Sequence, residues 1–370
     1  MELVSDDDLK AFYESILDVL TVECDSLALH KFYDGGNELD THLWARAAEL
    51  GWLGIGLPEE LGGLGMGVQG LDVLHRALGR SGAPGAFTST LSVAQCLAEV
   101  GSAELQGELL PRIIAGELEL ACPMQPDGST IVLTEQRLHG ISQPMLTSRN
   151  ASLALVSFER SAVGGFALVQ LDAPGVRFDP IELWDRTRSA GTITCNDVKP
   201  LAVMRDPTGA VGRILYRHLA LAVAADGIGG GRRIAEQTVE YLKNRVQFGK
   251  PLASFQALKH RAADLMIALA SAEEAVRQGV ETTAKQDPFA DMWVDLGKAA
   301  ACDAFKFVAS DCVQLHGGVG FTWEFDCHIF LKRALLNEEL AGDADAKRDR
   351  AADYLTGAVL AGRSTAELAT

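Results

Sequence analysis

Arg245-Val-Gln-Phe-Gly-Lys-Pro-Leu-Ala-Ser-Phe-Gln256 decides how this 370-residue chain is read, together with Gln314-Leu-His-Gly-Gly-Val-Gly-Phe321 further on. Arg245 closes a long Ala- and Leu-rich helical pattern, and Gly249 and Pro251 turn the chain into a second one. A cation at a helix C-terminus has a plain structural explanation, because the helix dipole favours it there. In the second segment Gly317 and Gly318 end a helix and let backbone approach a ligand that any side chain would obstruct. Taken alone, that pair is an ordinary glycine C-cap.

Outward from these segments, everything after Pro207 is helical. Four stretches, about 208–244, 252–285, 288–315 and 323–342, are joined by short Gly- or Pro-containing connections, as in an up-and-down bundle. Between Cys122 and Met204 the apolar period changes to two, in runs such as Ile131-Val-Leu-Thr, Ala151-Ser-Leu-Ala-Leu-Val-Ser-Phe and Gly165-Phe-Ala-Leu-Val-Gln-Leu. This alternation predicts an antiparallel sheet. The N-terminal stretch is helical again, with apolar residues at three- and four-residue spacing in Leu9-Phe12-Ile16-Val19 and Leu43-Ala47-Leu50. The expectation is an α+β chain of three units: helical over 1–120, β over 121–205, and a four-helix bundle over 206–370.

Composition narrows the class. Lys and Arg total 33 against 50 Asp and Glu, a net charge of -17, which disfavours nucleic acid and anionic membrane surfaces as partners. The seven cysteines are scattered, with no CxxC pair and no zinc spacing, so no metal site is expected. They are expected to be buried thiols of a reducing, cytoplasmic compartment. The N-terminus is acidic, and no apolar run approaches the roughly 20 residues of a membrane span.

The order of units and the quoted motifs resemble the acyl-CoA dehydrogenase family from about residue 40 to residue 343, including Leu50-Gly-Trp-Leu-Gly-Ile-Gly-Leu-Pro-Glu-Glu-Leu-Gly-Gly-Leu-Gly near the start. The resemblance implies that fold, FAD as cofactor, an acyl-CoA thioester as substrate and an electron-transfer flavoprotein as acceptor. It also implies that Arg245 pairs with the FAD diphosphate, for which a guanidinium offers forked, permanently charged donors. Gln247, Phe248, Phe255 and Gln256 would line the same site, with Gln314, Leu315, Gly317 and Gly318. In the family these segments reach across a subunit interface to the adenine half of a neighbour's FAD. His316 has no sequence partner that would make it a base and is read as structural.

Departures from the family pattern matter as much. The loop that would hold the flavin is Pro123-Met-Gln-Pro-Asp-Gly-Ser129, without the usual Thr-Glu, and the aromatic-Ile-Thr strand becomes Met145-Leu-Thr147. Thr147 alone remains as a backbone-level flavin contact. Removing the α-proton of an acyl thioester while hydride leaves the β-carbon requires a carboxylate against the α-carbon. One family position for it is Gly342 here, in Leu340-Ala-Gly-Asp343; the other is Leu219, followed by Ala220. Asp226, two turns along the same helix face, is the remaining candidate base. Asp226-Gly-Ile-Gly-Gly-Gly231 does not fit a dinucleotide fingerprint, because Arg232 stands at its sixth position and a helical run precedes it. Arg186 either contacts phosphates or makes an intradomain ion pair.

Three expectations follow. The first is a subunit of a heterotetrameric (α2β2) acyl-CoA dehydrogenase of the kind that oxidises steroid or other bulky acyl-CoA thioesters, whose homologous partner supplies the glutamate. The second is a self-sufficient homotetramer using Asp226. The third is a flavin-free structural homologue.

Overall fold

The structure is a computed structural model that describes residues 4–125, 128–159 and 164–362. Six helices come first: α1 (Asp6–Glu23), α2 (Ser26–Tyr33), α3 (Leu39–Glu49), α4 (Gly67–Ser81), α5 (Phe87–Val100) and α6 (Ala103–Ile114). Their starts are set by short polar side chains: Ser5, Asp25 and Ser102 accept from the backbone N–H of Asp8, Ala28 and Leu105. Ile16, Leu20, Leu43, Trp44, Leu74 and Leu78 gather the apolar stripes of α1, α3 and α4 into one core.

Nine strands follow: β1 (Leu120–Pro123), β2 (Val132–Thr134), β3 (Arg137–Ile141), β4 (Met145–Thr147), β5 (Leu153–Phe158), β6 (Gly165–Gln170), β7 (Val176–Ile181), β8 (Ser189–Val198) and β9 (Ala202–Arg205). They join in the order β2-β3-β8-β4-β1-β5-β6-β9, with β7 also on β8. The pairing is antiparallel except between β1 and β5, which run parallel through Leu120–Leu153 and Ala121–Ala154. The sheet is therefore not wholly antiparallel as expected, because β1 lies between strands that arrive from opposite directions.

The C-terminal unit holds α7 (Ala210–Asn244), α8 (Gln256–Ala284), α9 (Ala290–His316), α10 (Cys327–Glu339) and α11 (Ala344–Leu360). The fifth helix, α11, goes beyond the four expected. Its buried positions are Ala344, Lys347, Ala351 and Ala358, so it carries no strong apolar stripe for a periodicity argument to find. It is held by charge instead: buried Asp295 on α9 pairs with Lys347 at 3.0 Å and with Arg350.

The 35-residue α7 is the spine of the molecule. Its glycine run exists for packing. A Cβ on Gly229 would lie 2.0 Å from the Arg76 carbonyl oxygen, and one on Gly79 of α4 would lie 2.1 Å from that of Asp226. The two helices thus cross backbone against backbone, which accounts for Asp226-Gly-Ile-Gly-Gly-Gly231 without a nucleotide.

At this crossing sits a buried ionic cluster that joins all three units. Asp226, 1% exposed, receives Arg333 of α10 through both carboxylate oxygens and Asn337 Nδ2 at 2.8 Å, with Arg188 Nη2 at 3.0 Å. Arg333 also donates to the Ala83 carbonyl and, at 2.7 Å, to Thr187 Oγ1. Asp185 accepts from Tyr33 Oη of α2 at 3.0 Å and from Thr187. Burial alone would raise the Asp226 pKa, but Arg188 and Arg333 overcome it and hold the carboxyl well below the usual range.

Removing one member of such a cluster strands the others in a low-dielectric core. Asp226→Asn should therefore lower the unfolding free energy by about 3–5 kcal/mol, read from urea denaturation. Gly229→Ala should destabilise by about 1–3 kcal/mol in the same assay, since the α4–α7 crossing must open to admit the methyl. Nearby, burial pushes the His75 pKa from 6.5 down to about 4. Across that window the unfolded chain binds a proton that the folded chain refuses, so stability should fall as pH drops from about 6.5 toward 4. His75→Gln should flatten that slope, and an unchanged slope would refute the assignment.

Candidate functional site

Arg245 ends α7 in an extended conformation, and its backbone N–H still donates to the Tyr241 carbonyl at 2.8 Å. Val246–Gln247 and Lys250–Pro251 then pair as a two-stranded ribbon. Its turn is Phe248-Gly249, with φ of 54° and 76°. Two-residue hairpins favour this doubly left-handed geometry, but a bulky residue at the first position is strained. The Phe248 ring stands outward, 89% exposed and edge-on to Phe255 at 6.0 Å. Lys250 Nζ lies 4.3 Å above the Phe255 ring. Arg245, Gln247 and Gln256 are all exposed.

The second segment lies beside this ribbon. Tyr241, one turn before Arg245, stacks on His316 at 4.3 Å and donates to the His316 carbonyl at 3.4 Å. The structure thus brings the two motifs together at one end of the bundle, although about sixty residues separate them in sequence. Gln314, Gly317 and Gly318 are exposed there. Gly317 has φ 67° and ψ −146°, which only glycine adopts without strain, and a Cβ on Gly318 would meet open space. Leu315 differs from its neighbours: its side chain is buried in the bundle core, so it offers an external ligand only backbone. His316 is buried, paired with the Cys312 carbonyl at 2.8 Å, and burial lowers its pKa.

On the other side of the chain, sheet and bundle pack together around Leu219 and Leu340, while a cleft lined by Ser129, Phe166, Asp206, Arg213, Tyr216 and Asp291 lies between them toward the start of α7. Leu146 of β4, Met124 just after β1, and Leu219, Ala220, Leu340 and Ala341 are all buried in one core. Ala341 N–H donates to the Met124 carbonyl at 2.7 Å, and Gln125 Nε2 to that of Glu339 at 3.2 Å. Tyr216 Oη donates to the Gln125 carbonyl at 2.6 Å. The turn carrying Gly342 is tied down by buried Lys298, which donates to the Glu338 carbonyl at 2.8 Å and to that of Gly342. Met145, placed by sequence at the flavin position, instead faces the sheet core with Ile131 and Ile193. Thr147 is buried and its hydroxyl donates to the Ser148 carbonyl at 3.3 Å. Pro126 and Asp127 of the Pro123–Ser129 loop lie outside the described residues.

Asp226 does not suit the role of a base. Its carboxylate is held by two guanidinium groups and an amide in the core, which leaves it neither exposed nor basic. Arg186 makes no ion pair among the described residues, but donates to the Tyr33 carbonyl at 2.7 Å. Arg188, Arg333 and Asn337 escaped the sequence reading, since residues on different units that meet in space leave no local pattern. So did Asp326, which accepts from Ser26 Oγ at 2.6 Å and Gln237 Nε2 at 2.9 Å, with His30 Nε2 also at 2.9 Å, and so anchors the connection after Phe321.

Among the described residues no group of His, Cys, Asp or Glu could hold a metal, and no helix is long and apolar enough to cross a membrane. All seven cysteines are free and buried.

Comparison with known proteins agrees with this architecture. Residues 6–117 match the acyl-CoA dehydrogenase N-terminal domain, and residues 216–356 the acyl-CoA dehydrogenase C-terminal domain. Acyl-CoA dehydrogenase IpdE2 of Mycobacterium tuberculosis is 29% identical over 296 residues, which cover 80% of each chain. A chain of the ChsE4-ChsE5 complex from Mycobacterium tuberculosis superposes with a TM-score of 0.87 at 26% identity, covering 96% of this chain and 99% of that one. A chain of the Tcur3481-Tcur3483 steroid ACAD gives 0.86 at 27% identity, again over 96% and 99%. With both terminal domains matched and the sheet between them in place, the chain belongs to the acyl-CoA dehydrogenase family.

Proposed function

We propose that this chain is one subunit of a FAD-dependent acyl-CoA dehydrogenase that forms the α,β-double bond of an acyl-CoA thioester only together with a homologous partner. The observation that carries this reading is the contrast between the two ends of the molecule. The ribbon that would grip a cofactor across an interface is exposed and preorganised. Where the family base would stand, Leu219 is buried in one core with Met124, Leu340 and Ala341, and Ala341 N–H is bonded to the Met124 carbonyl. The two-component ChsE4-ChsE5 and Tcur3481-Tcur3483 proteins support the partnered arrangement, and the steroid specificity in the name of the second supports a bulky acyl group.

In this reading Arg245 binds the FAD diphosphate from across the interface, and the aromatic pair Phe248 and Phe255 excludes water from the adenine side. Gln247, Gln256 and Gln314 offer amide donors and acceptors at its rim, while Gly317 and Gly318 let backbone come close. Bound FAD supplies the acceptor for the β-hydride. The partner supplies the carboxylate that takes the α-proton, because Leu219 and Gly342 stand at the two family positions for it. Electrons would leave to an electron-transfer flavoprotein.

Purified alone, the chain should be colourless and inactive toward acyl-CoA in a dye-reduction assay. A flavin-replete, active single-chain preparation would overturn the partnered reading. Co-expressed with a homologous chain that carries the glutamate, it should yield a yellow complex. Arg245→Ala should then weaken FAD retention by about 10- to 100-fold, the worth of a charge-assisted contact of roughly 1.5–3 kcal/mol. Unchanged flavin occupancy would remove Arg245 from the site.

A further inference from the structure

We propose that Lys332 and Arg186, walled by Trp323 and Tyr33, form a binding site for a phosphoryl anion, of the size and charge of a nucleotide diphosphate. Three observations carry this. First, the chain has a large excess of acid over base, yet neither cation has a carboxylate partner among the described residues. Lys332 Nζ lies only over aromatic rings, 5.5 Å from Tyr33 and 5.4 Å from Trp323. Arg186 is exposed and makes one hydrogen bond, to the Tyr33 carbonyl at 2.7 Å, which leaves most of its fork unused.

Second, the cations are brought together on purpose-built supports. Tyr33 carries both, Lys332 over its ring and Arg186 on its carbonyl, while its hydroxyl is fixed by buried Asp185. Burial and the neighbouring Arg186 both lower the Lys332 pKa. Two like charges held this close are repulsive unless an anion sits between them. Asp185, the nearest acid, cannot serve, since it is committed to Tyr33 and Thr187 in the core.

Third, His328 lies one turn before Lys332, on the same helix face. It is 4% exposed, and its Nε2 has no hydrogen-bond partner among the described residues. Its ring meets Trp323 edge-on at 4.6 Å, and burial, Lys332 and His30 together push its pKa down to about 4. A buried polar atom without a partner is costly in a native fold and calls for a ligand or an ordered water. Trp323, 54% exposed, offers a flat surface on which a base ring can stack. Phosphoryl groups suit such a site, because guanidinium and ammonium together supply both the fork and the point charge.

The test uses the chain alone, so its outcome is independent of whether a catalytic partner exists. Calorimetric titration with inorganic pyrophosphate should show binding that weakens as salt is raised. Lys332→Gln and Arg186→Gln should each weaken it at least about tenfold, the worth of one charge-assisted contact. Lys259→Gln, on exposed α8, should leave it unchanged, and circular dichroism should show all three variants folded. ADP binding more tightly than pyrophosphate, with that margin lost in Trp323→Leu, would assign a nucleotide. Equal affinities would assign the diphosphate alone. Absence of binding by the unmodified chain, or equal binding by the Lys332, Arg186 and Lys259 variants, would overturn the proposal.

Discussion

The fold depends on Asp226 being ionised in the core. One carboxylate collects Arg333 and Asn337 from α10, Arg188 from the sheet and, through Thr187 and Asp185, Tyr33 from the N-terminal helices. Desolvating four charged side chains is costly, and the geometry offsets that cost only because nearly every donor has an acceptor. The contacts also dictate where α7 may lie relative to the sheet. Once α7 is so placed, the Gly79 and Gly229 contacts set its approach to α4, and its far end carries Tyr241 and the ribbon.

This arrangement gives the two ends of α7 opposite characters. Around Leu219 and Ala220 the helix is sealed under Met124, Leu340 and Ala341. At Arg245 it runs out into an exposed, aromatic-tipped ribbon.

Much of this was legible in the sequence where order is local. Short apolar runs bounded by turns, such as Leu153–Phe158 and Gly165–Gln170, emerged as β5 and β6, and the long Ala- and Leu-rich stretches emerged as α7 to α10. Val176–Ile181 escaped, because β7 is largely exposed and its apolar residues do not alternate cleanly. Helix α11 escaped because Lys347 and Arg350 hold it through Asp295 rather than through an apolar stripe. At the candidate site the turn after Arg245 and the paired glycines were readable from contiguous motifs, but the two-stranded ribbon was not. The place of Leu315 in the core was not, since helix phase within a terminal turn is set by packing. Nor were Lys332, Trp323 and His328, whose relation to Arg186 exists only after the sheet has docked on α10.

The backbone of the turn after α10 restricts what can stand there. Ala341 and Gly342 both have positive φ, 61° and 95°, with Lys298 clamped on the carbonyl of Gly342. A glutamate at residue 342 would have to enter a conformation that disfavours any side chain, beside a buried ammonium. Placing a base there would take coordinated change at the turn and at Lys298, so no single substitution at residue 342 supplies one.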